Sequence, residues 1–183
     1  MKKMKKLLLT FILGILVIVS NAQINRLAGP RIGVTLITPG WSADIINEGL
    51  SADERPDYES GFSGSAFVTQ YGWQWESRFA DGEKVVGIVE WIALIGGIEK
   101  GLFLPSVSSL VGLRSDAGIE FAAGPNISLS GFSMVISTGY NFKFGDLNVP
   151  VNIAFVPSKS GVWGNDNTTG ARISLMAGFN LSK

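Results

Sequence analysis

From Ser65 to Phe79 the chain alternates. Phe67, Thr69, Tyr71, Trp73, Trp75, Ser77 and Phe79 fall on one face, and Gln70, Gln74, Glu76 and Arg78 on the other. A period of two, rich in aromatic residues, predicts a strand, and the polar turn Ala80-Asp81-Gly82-Glu83 leads into a second strand-like run ending at Ile95. The same reading along the rest of the chain predicts six further strands, over residues 31–38, 105–114, 117–124, 132–144, 149–158 and 171–181. Asn25 to Pro30 reads as a polar lead-in, and Pro39-Gly40 ends the first strand. Residues 41–64 read as a long connection with a helix-like patch at Trp41, Ile45, Ile46 and Leu50, residues 96–104 as a medium one, and Pro125-Asn126 as the start of another medium one reaching Gly131. Pro150 fits a strand only near its start or at a bulge.

Eight strands whose connections run long, short, medium, short, medium, short, long place every tight turn on the side of both termini. That order predicts an all-β fold, an eight-stranded antiparallel up-and-down β-barrel without sheet edges. The strand charges Arg31, Glu76, Arg78, Glu90, Arg114, Glu120, Lys143 and Arg172 all lie opposite the more apolar row of their strand. Two arrangements satisfy this pattern: a membrane barrel with its apolar wall outward, or a soluble barrel with that wall inward. In a membrane barrel the aromatic row Phe67, Tyr71, Trp73, Trp75, Phe79 and Trp91 faces lipid, where an Arg or Lys would cost about 2–4 kcal/mol near the midplane. Glu76, Arg78, Glu90, Arg114, Glu120, Lys143 and Arg172 then form a charge network that fills the lumen instead of conducting through it. The third strand also carries an apolar row on that inner face, Val86, Ile88, Ile92 and Leu94.

The N-terminus changes the compartment. Lysines at 2, 3, 5 and 6, the apolar run Leu7 to Val19 and the small residues Ser20-Asn21-Ala22 have the order of a secretory signal peptide, so residues 1–22 are expected to be removed and 23–183 to form the barrel domain. Taking those four lysines from 15 basic residues leaves 11 against 15 acidic ones, a balance that argues against a nucleic-acid partner. Cysteine is absent, so export brings no disulfide. No later run is long and uncharged enough for a spanning helix, and a membrane crossing would use strands.

Histidine is absent as well. Ser-His-Asp and Cys-His nucleophile systems are therefore excluded, and a zinc site loses both preferred ligand types. Glu76, Glu90 and Glu120 are the strand carboxylates available for acid–base work, and Arg78, Arg114 and Arg172 are expected to neutralise them. The acidic group Asp53, Glu54, Asp57 and Glu59 lacks the spacing of a dedicated calcium loop, and Asn165-Asp166-Asn167 reads as turn chemistry. No cofactor or metal is expected.

With its leader, alternating strands, aromatic rows and loop order, the chain resembles the small eight-stranded outer-membrane β-barrels of Gram-negative bacteria, the OmpX and OmpA-barrel type. The likeness is architectural and spans nearly all of residues 23–183. It implies outer-membrane lipid as a partner and a structural or surface-interaction role through the connections 41–64 and 159–169, with an unidentified surface ligand or protein. Barrels of this kind that act as lipases, lipid A deacylases or proteases rely on a histidine, which this chain lacks, so no enzyme activity is expected. The alternative is a soluble exported barrel similar to lipocalins, located in the periplasm, with an apolar ligand among Phe67, Tyr71, Trp73, Trp75 and Trp91.

Overall fold

The structure, a computed structural model, describes residues 26–48, 64–160 and 168–182. The expected leader, the acidic group at 53–59 and the turn at 165–167 lie outside the described residues. In chain order the elements are β1 (Arg26–Ile37), α1 (Trp41–Glu48), β2 (Ala66–Asp81), β3 (Val85–Gly96), a 3-10 turn (Ile98–Lys100), β4 (Leu104–Ser115), β5 (Ile119–Ser128), β6 (Gly131–Phe144), β7 (Leu147–Val156), β8 (Arg172–Gly178) and β9 (Asn180–Ser182). From β1 to β8 each strand pairs antiparallel with the next, β9 pairs with β7, and β1 pairs with β2 on one side and with β8 and β9 on the other. β8 and β9 are one strand interrupted at Phe179, so the sheet closes as an eight-stranded antiparallel barrel. The period-two patterns drive this arrangement. In β6, Ser133, Val135, Ser137 and Asn141 are buried while Phe132, Met134, Ile136, Tyr140 and Phe142 are exposed.

Two boundaries differ from the sequence reading, for one reason. β1 begins at Arg26 instead of Arg31, and β5 runs through Pro125-Asn126 to Ser128, leaving the two-residue turn Leu129-Ser130 where a medium connection was expected. Proline lacks the N–H a ladder needs, and each of these prolines sits where one neighbouring ladder lapses. Gly29 and Pro30 lie between the Ala28–Leu181 and Arg31–Gly178 pairs, and Gly124 and Pro125 between Ala123–Val111 and Asn126–Ser108. Pro150 lies opposite the same break at Phe179, between Asn148–Asn180 and Val151–Ala177. The preceding glycines are required by close approach. A Cβ on Gly124 would sit 2.0 Å from the Ser109 carbonyl oxygen, and one on Gly29 would sit 1.7 Å from that of Phe179. Gly-Pro here marks an irregularity inside a strand and not its end.

The helix-like patch becomes α1. Pro39-Gly40 stops β1, the Gly40 carbonyl accepts from the Ala43 and Asp44 N–H groups, and Trp41 N–H donates to the Thr168 carbonyl at 2.8 Å. Ala43 and Ile46, three apart and so on one helix face, pack against Ile37, Ala66 and Val68, with Leu102 and Leu104 beside them. The helix thus caps the barrel mouth, at the end opposite the β2–β3, β4–β5 and β6–β7 turns and beside the short turn Leu129-Ser130.

Gly124→Val should lower stability by about 1–3 kcal/mol, because its side chain meets backbone and not a movable side chain. Ala123→Val, on the half-exposed neighbour, should stay within about 0.5 kcal/mol. The temperature at which the folded protein loses its compact gel mobility checks both.

Candidate functional site

The outer wall is apolar around the barrel. Phe67, Tyr71, Trp73, Trp75, Phe79 and Trp91 all stand outward, between 43% and 53% exposed, and Trp75 and Trp91 are direct partners across β2 and β3. Exposed apolar side chains continue through Val107, Val111 and Leu113 on β4, Ile119 and Phe121 on β5, the β6 row, Ile153 and Phe155 on β7, and Ile173 and Leu175 on β8. A soluble barrel with these aromatics around an internal ligand is corrected by this placement: the inner face of β2 carries Val68, Gln74 and Glu76 instead. The pleat forces the choice, since a one-residue shift of register would turn the whole row over.

Inside, the charged residues assemble in tiers. Glu76 and Glu90 are direct partners across β2 and β3, which places two carboxylates side by side on the inner face. Arg114 resolves half of that conflict. Its Nη1 donates to Glu76 Oε1 at 2.6 Å, its Nη2 to Glu76 Oε2, and its Nε to Glu120 Oε1, with all three side chains 2% exposed or less. Glu120 also accepts from Asn152 Nδ2 at 3.2 Å. The other half is resolved through an amide: Arg31 Nε donates to Gln74 Oε1 at 2.8 Å, and Gln74 Nε2 donates to Glu90 Oε1. Every residue in this tier is buried apart from Asn152, which is half-buried.

Three members of the expected network stand apart. Lys143 is exposed: it has the inward parity of Asn141, but the last β5–β6 pair is Ile119–Tyr140, so the wall that would cover it has ended. Arg78 is half-buried at a bulge, where the β2–β3 register shifts between Arg78 and Ala80, and its Nε has no hydrogen-bond partner. Arg172 lies at the mouth end, its Nη1 donating to Ser128 Oγ at 3.0 Å and its Nη2 to Asn126 Oδ1 at 3.1 Å. The lumen is not wholly polar either. Leu110, Ala122, Val135 and Val156 form a buried cluster with Ile92 and Ala154 against it, and Ile88 is fully buried.

The mouth is closed by contacts between connections. Ser42 and Ser130 hydroxyls share a hydrogen bond of 3.0 Å, and Asn47 Nδ2 donates to the Ser65 carbonyl at 3.3 Å. Glu99, on the 3-10 turn, accepts from Thr69 N–H at 2.8 Å and from Thr69 Oγ1–H. Slight burial works to raise the Glu99 carboxyl, but the Thr69 donors and Lys100 outweigh it and hold the group below the ordinary glutamate value. Beneath α1 lies a cavity of about 180 Å³ with Trp41, Ile45, Ile46, Val68, Leu104 and Arg172 in its wall, and a smaller one of about 80 Å³ lies deeper. Gln70 lines both and was not singled out in the sequence; its inward parity beside Gln74 is the available signal. Asn126 and Ser128 escaped because Pro125 read as a turn.

Removing one partner of the buried cluster should be costly. Arg114→Met leaves Glu76 and Glu120 uncompensated, and a loss of about 3–5 kcal/mol is expected, read from the urea midpoint of tryptophan emission. Converting the triad together (R114M, E76L, E120L) should recover most of it, because an apolar set of similar volume carries no desolvation cost. The Glu99 contact has the sign of a depressed carboxylate: it stabilises the mouth at neutral pH and is lost as pH falls through the lowered Glu99 value. Hydrogen exchange of the Thr69 amide should therefore accelerate on acidification, beyond the intrinsic trend, and Glu99→Gln should flatten that response.

No family model and no curated protein matches this chain. Among solved structures, that of Ail, the attachment invasion locus protein of Yersinia pestis, in complex with the heparin analogue sucrose octasulfate is similar, with 14% identity over 86% of this chain and 99% of that one and a TM-score of 0.26. A second structure of Ail is similar at 13% identity over 85% and 98% of the two chains, with a TM-score of 0.25.

Proposed function

We propose that this chain is an exported, non-enzymatic β-barrel of a bacterial outer membrane, in contact with lipid around its wall and with a structural or surface-contact role at its mouth. The observation that carries the reading is the inversion of polarity. The apolar and aromatic side chains stand outside a closed sheet, while Arg114, Glu76, Glu120, Arg31 and Glu90 are buried inside it. Soluble proteins rarely expose contiguous apolar patches beyond a few hundred Å². A bilayer removes that penalty, and closure satisfies the backbone within it. Strands of 10 to 16 residues, with the last one divided, match the roughly 9–11 residues a tilted strand needs to cross. Residues 1–22 serve as the export signal, and 23–183 form the barrel.

The turns joining β2 to β3, β4 to β5 and β6 to β7 then lie on the periplasmic side, and α1, the longer connections and the short turn Leu129-Ser130 lie outside. The interior is filling: the Arg114 cluster and the Leu110 cluster occupy the lumen, and the inner carboxylates already accept hydrogen bonds. Without histidine or cysteine, nucleophilic and proton-shuttling machinery of the common kinds is out of reach.

Expressed at full length in a Gram-negative host, the protein should fractionate with the outer membrane. It should migrate faster on a gel unboiled than boiled, and its tryptophan emission should be quenched by brominated lipid through Trp73, Trp75 and Trp91. Recovery as a soluble periplasmic protein whose emission ignores brominated lipid would overturn the assignment.

A further inference from the structure

The two cavities under α1 share Thr35, Gln70, Ser106 and Arg172, which form the waist between them. Above the waist, the larger cavity has Ile37, Ile46, Val68 and Leu104 in its wall; at the waist stands Arg172, which makes no ion pair among the described residues. Arg172 follows the inward parity of its strand, opposite Ile37 on β1 and Val156 on β7. Its hydrogen bonds go to two neutral acceptors, Ser128 Oγ and Asn126 Oδ1, and Asn126 is fixed in turn by donating to Ser108 Oγ at 2.9 Å. Among the described residues, the ion pairs join Arg114 to Glu76 and Glu120, and none reaches Arg172. A guanidinium has five N–H donors in a planar fork suited to a carboxylate, and two of them are used here.

The Gln70 Oε1 atom, an acceptor, is also buried at this waist with no hydrogen-bond partner, so an anion here is met by the guanidinium and not by this oxygen. Lys159, on the β7–β8 connection, has its ammonium held below the ordinary lysine value by burial and then by Arg172, so a second cation stands near the guanidinium. A guanidinium without an ion-pair partner among the described residues, at the base of an apolar chamber, has the complementarity of an anionic amphiphile.

We propose that the mouth cavity binds a small organic carboxylate, its head on Arg172 and its hydrocarbon body between α1 and the Val68–Leu104 wall. The larger cavity, about 180 Å³, exceeds the ~150 Å³ of an engineered apolar cavity that holds benzene, which sets the size of that body at a single ring or a short chain. The site lies inside the barrel and does not depend on what surrounds the outer wall.

Benzoate is a suitable probe, and Trp41, in the cavity wall, is the reporter. In lipid nanodiscs containing the full mature chain labelled with 5-fluorotryptophan, benzoate should shift the Trp41 fluorine signal saturably and leave Trp73, Trp75 and Trp91 in place. Benzyl alcohol, of the same shape without the charge, should bind at least tenfold more weakly, and Arg172→Gln should weaken benzoate by a similar factor. Since Arg172→Gln also removes two internal hydrogen bonds, a second variant, Leu104→Trp, fills the chamber without touching the guanidinium and should abolish the Trp41 response. Three results would each overturn the proposal. They are equal binding of benzoate and benzyl alcohol, a linear shift of all the tryptophan signals together, and undiminished benzoate binding in Leu104→Trp. If Arg172→Gln loses its compact gel mobility, the alcohol comparison and Leu104→Trp decide the matter.

Discussion

Because β1 pairs with β2 along its length and with β8 and β9 on its other side, no strand of this sheet has a free edge, and every other feature follows from that closure. A closed antiparallel ladder satisfies its own backbone groups, so the wall can face a medium that offers no hydrogen bonds. Closure also fixes which side chains meet one another, since alternate residues must enter a lumen only wide enough to be filled by them. The sequence answers with polar and charged residues on one parity and aromatic and β-branched residues on the other. The ladder is interrupted where a proline makes interruption harmless, at Pro30, Pro125 and Pro150, and a glycine before two of them lets the neighbouring carbonyl approach. These lapses bend the wall without opening it.

Filling a lumen with ions is stable only when each charge has a partner, because desolvation of a lone ion exceeds what distant charges return. The β2–β3 register makes the problem acute by setting Glu76 directly opposite Glu90. Two different devices separate them. Arg114 reaches from β4 to grip Glu76 and Glu120, whereas Glu90 is reached from β1 by Arg31 through the Gln74 amide. Counting Asn152 on Glu120, residues from six strands therefore depend on one another at one level of the barrel, while the Leu110 cluster fills space with dispersion contacts and no directional demand. The ionic tier specifies register, since sliding any one of these strands by a residue would carry its charge to the outer wall.

Strand number and order were legible from period-two alternation, and so was the inward parity of Glu76, Glu90, Arg114 and Glu120; the sidedness of the turns was legible only in part, because Leu129-Ser130 puts a two-residue turn at the mouth. What escaped depends on neighbours the sequence does not display. Gly29-Pro30 and Gly124-Pro125 carry the local signature of a turn, and only the lapse in the adjoining ladder, set by residues such as Phe179 and Ser109 far along the chain, makes them compatible with a strand. Lys143 has the parity of a lumen residue, yet burial requires a wall on both sides, and β5 stops pairing at Ile119. Gln74 looked like one polar residue among several; its bridging role appears only when Arg31 and Glu90 are brought to its two ends.

The same physics separates the two ends of the molecule. The end opposite α1 is finished by short turns, and inside it Arg114, Glu76 and Glu120 pair with one another, while Arg31 Nη2 and Arg78 Nε are left without a partner. At the mouth the chain does the opposite. It spends a helix, a 3-10 turn and several inter-loop hydrogen bonds on a cover, with Ala43 and Ile46 packed down onto β2. If the cover had no task beyond excluding water, the simplest filling beneath it would be apolar throughout, as in the Leu110 cluster. Instead the space below α1 ends on Arg172 and Gln70, polar groups whose capacity the protein leaves partly open. A stability-driven interior would neutralise that guanidinium as Arg114 is neutralised, with a carboxylate on a facing strand. Its retention beside an apolar chamber is what the proposed carboxylate site at the capped mouth accounts for, and the ionic tier below is left to hold the shape.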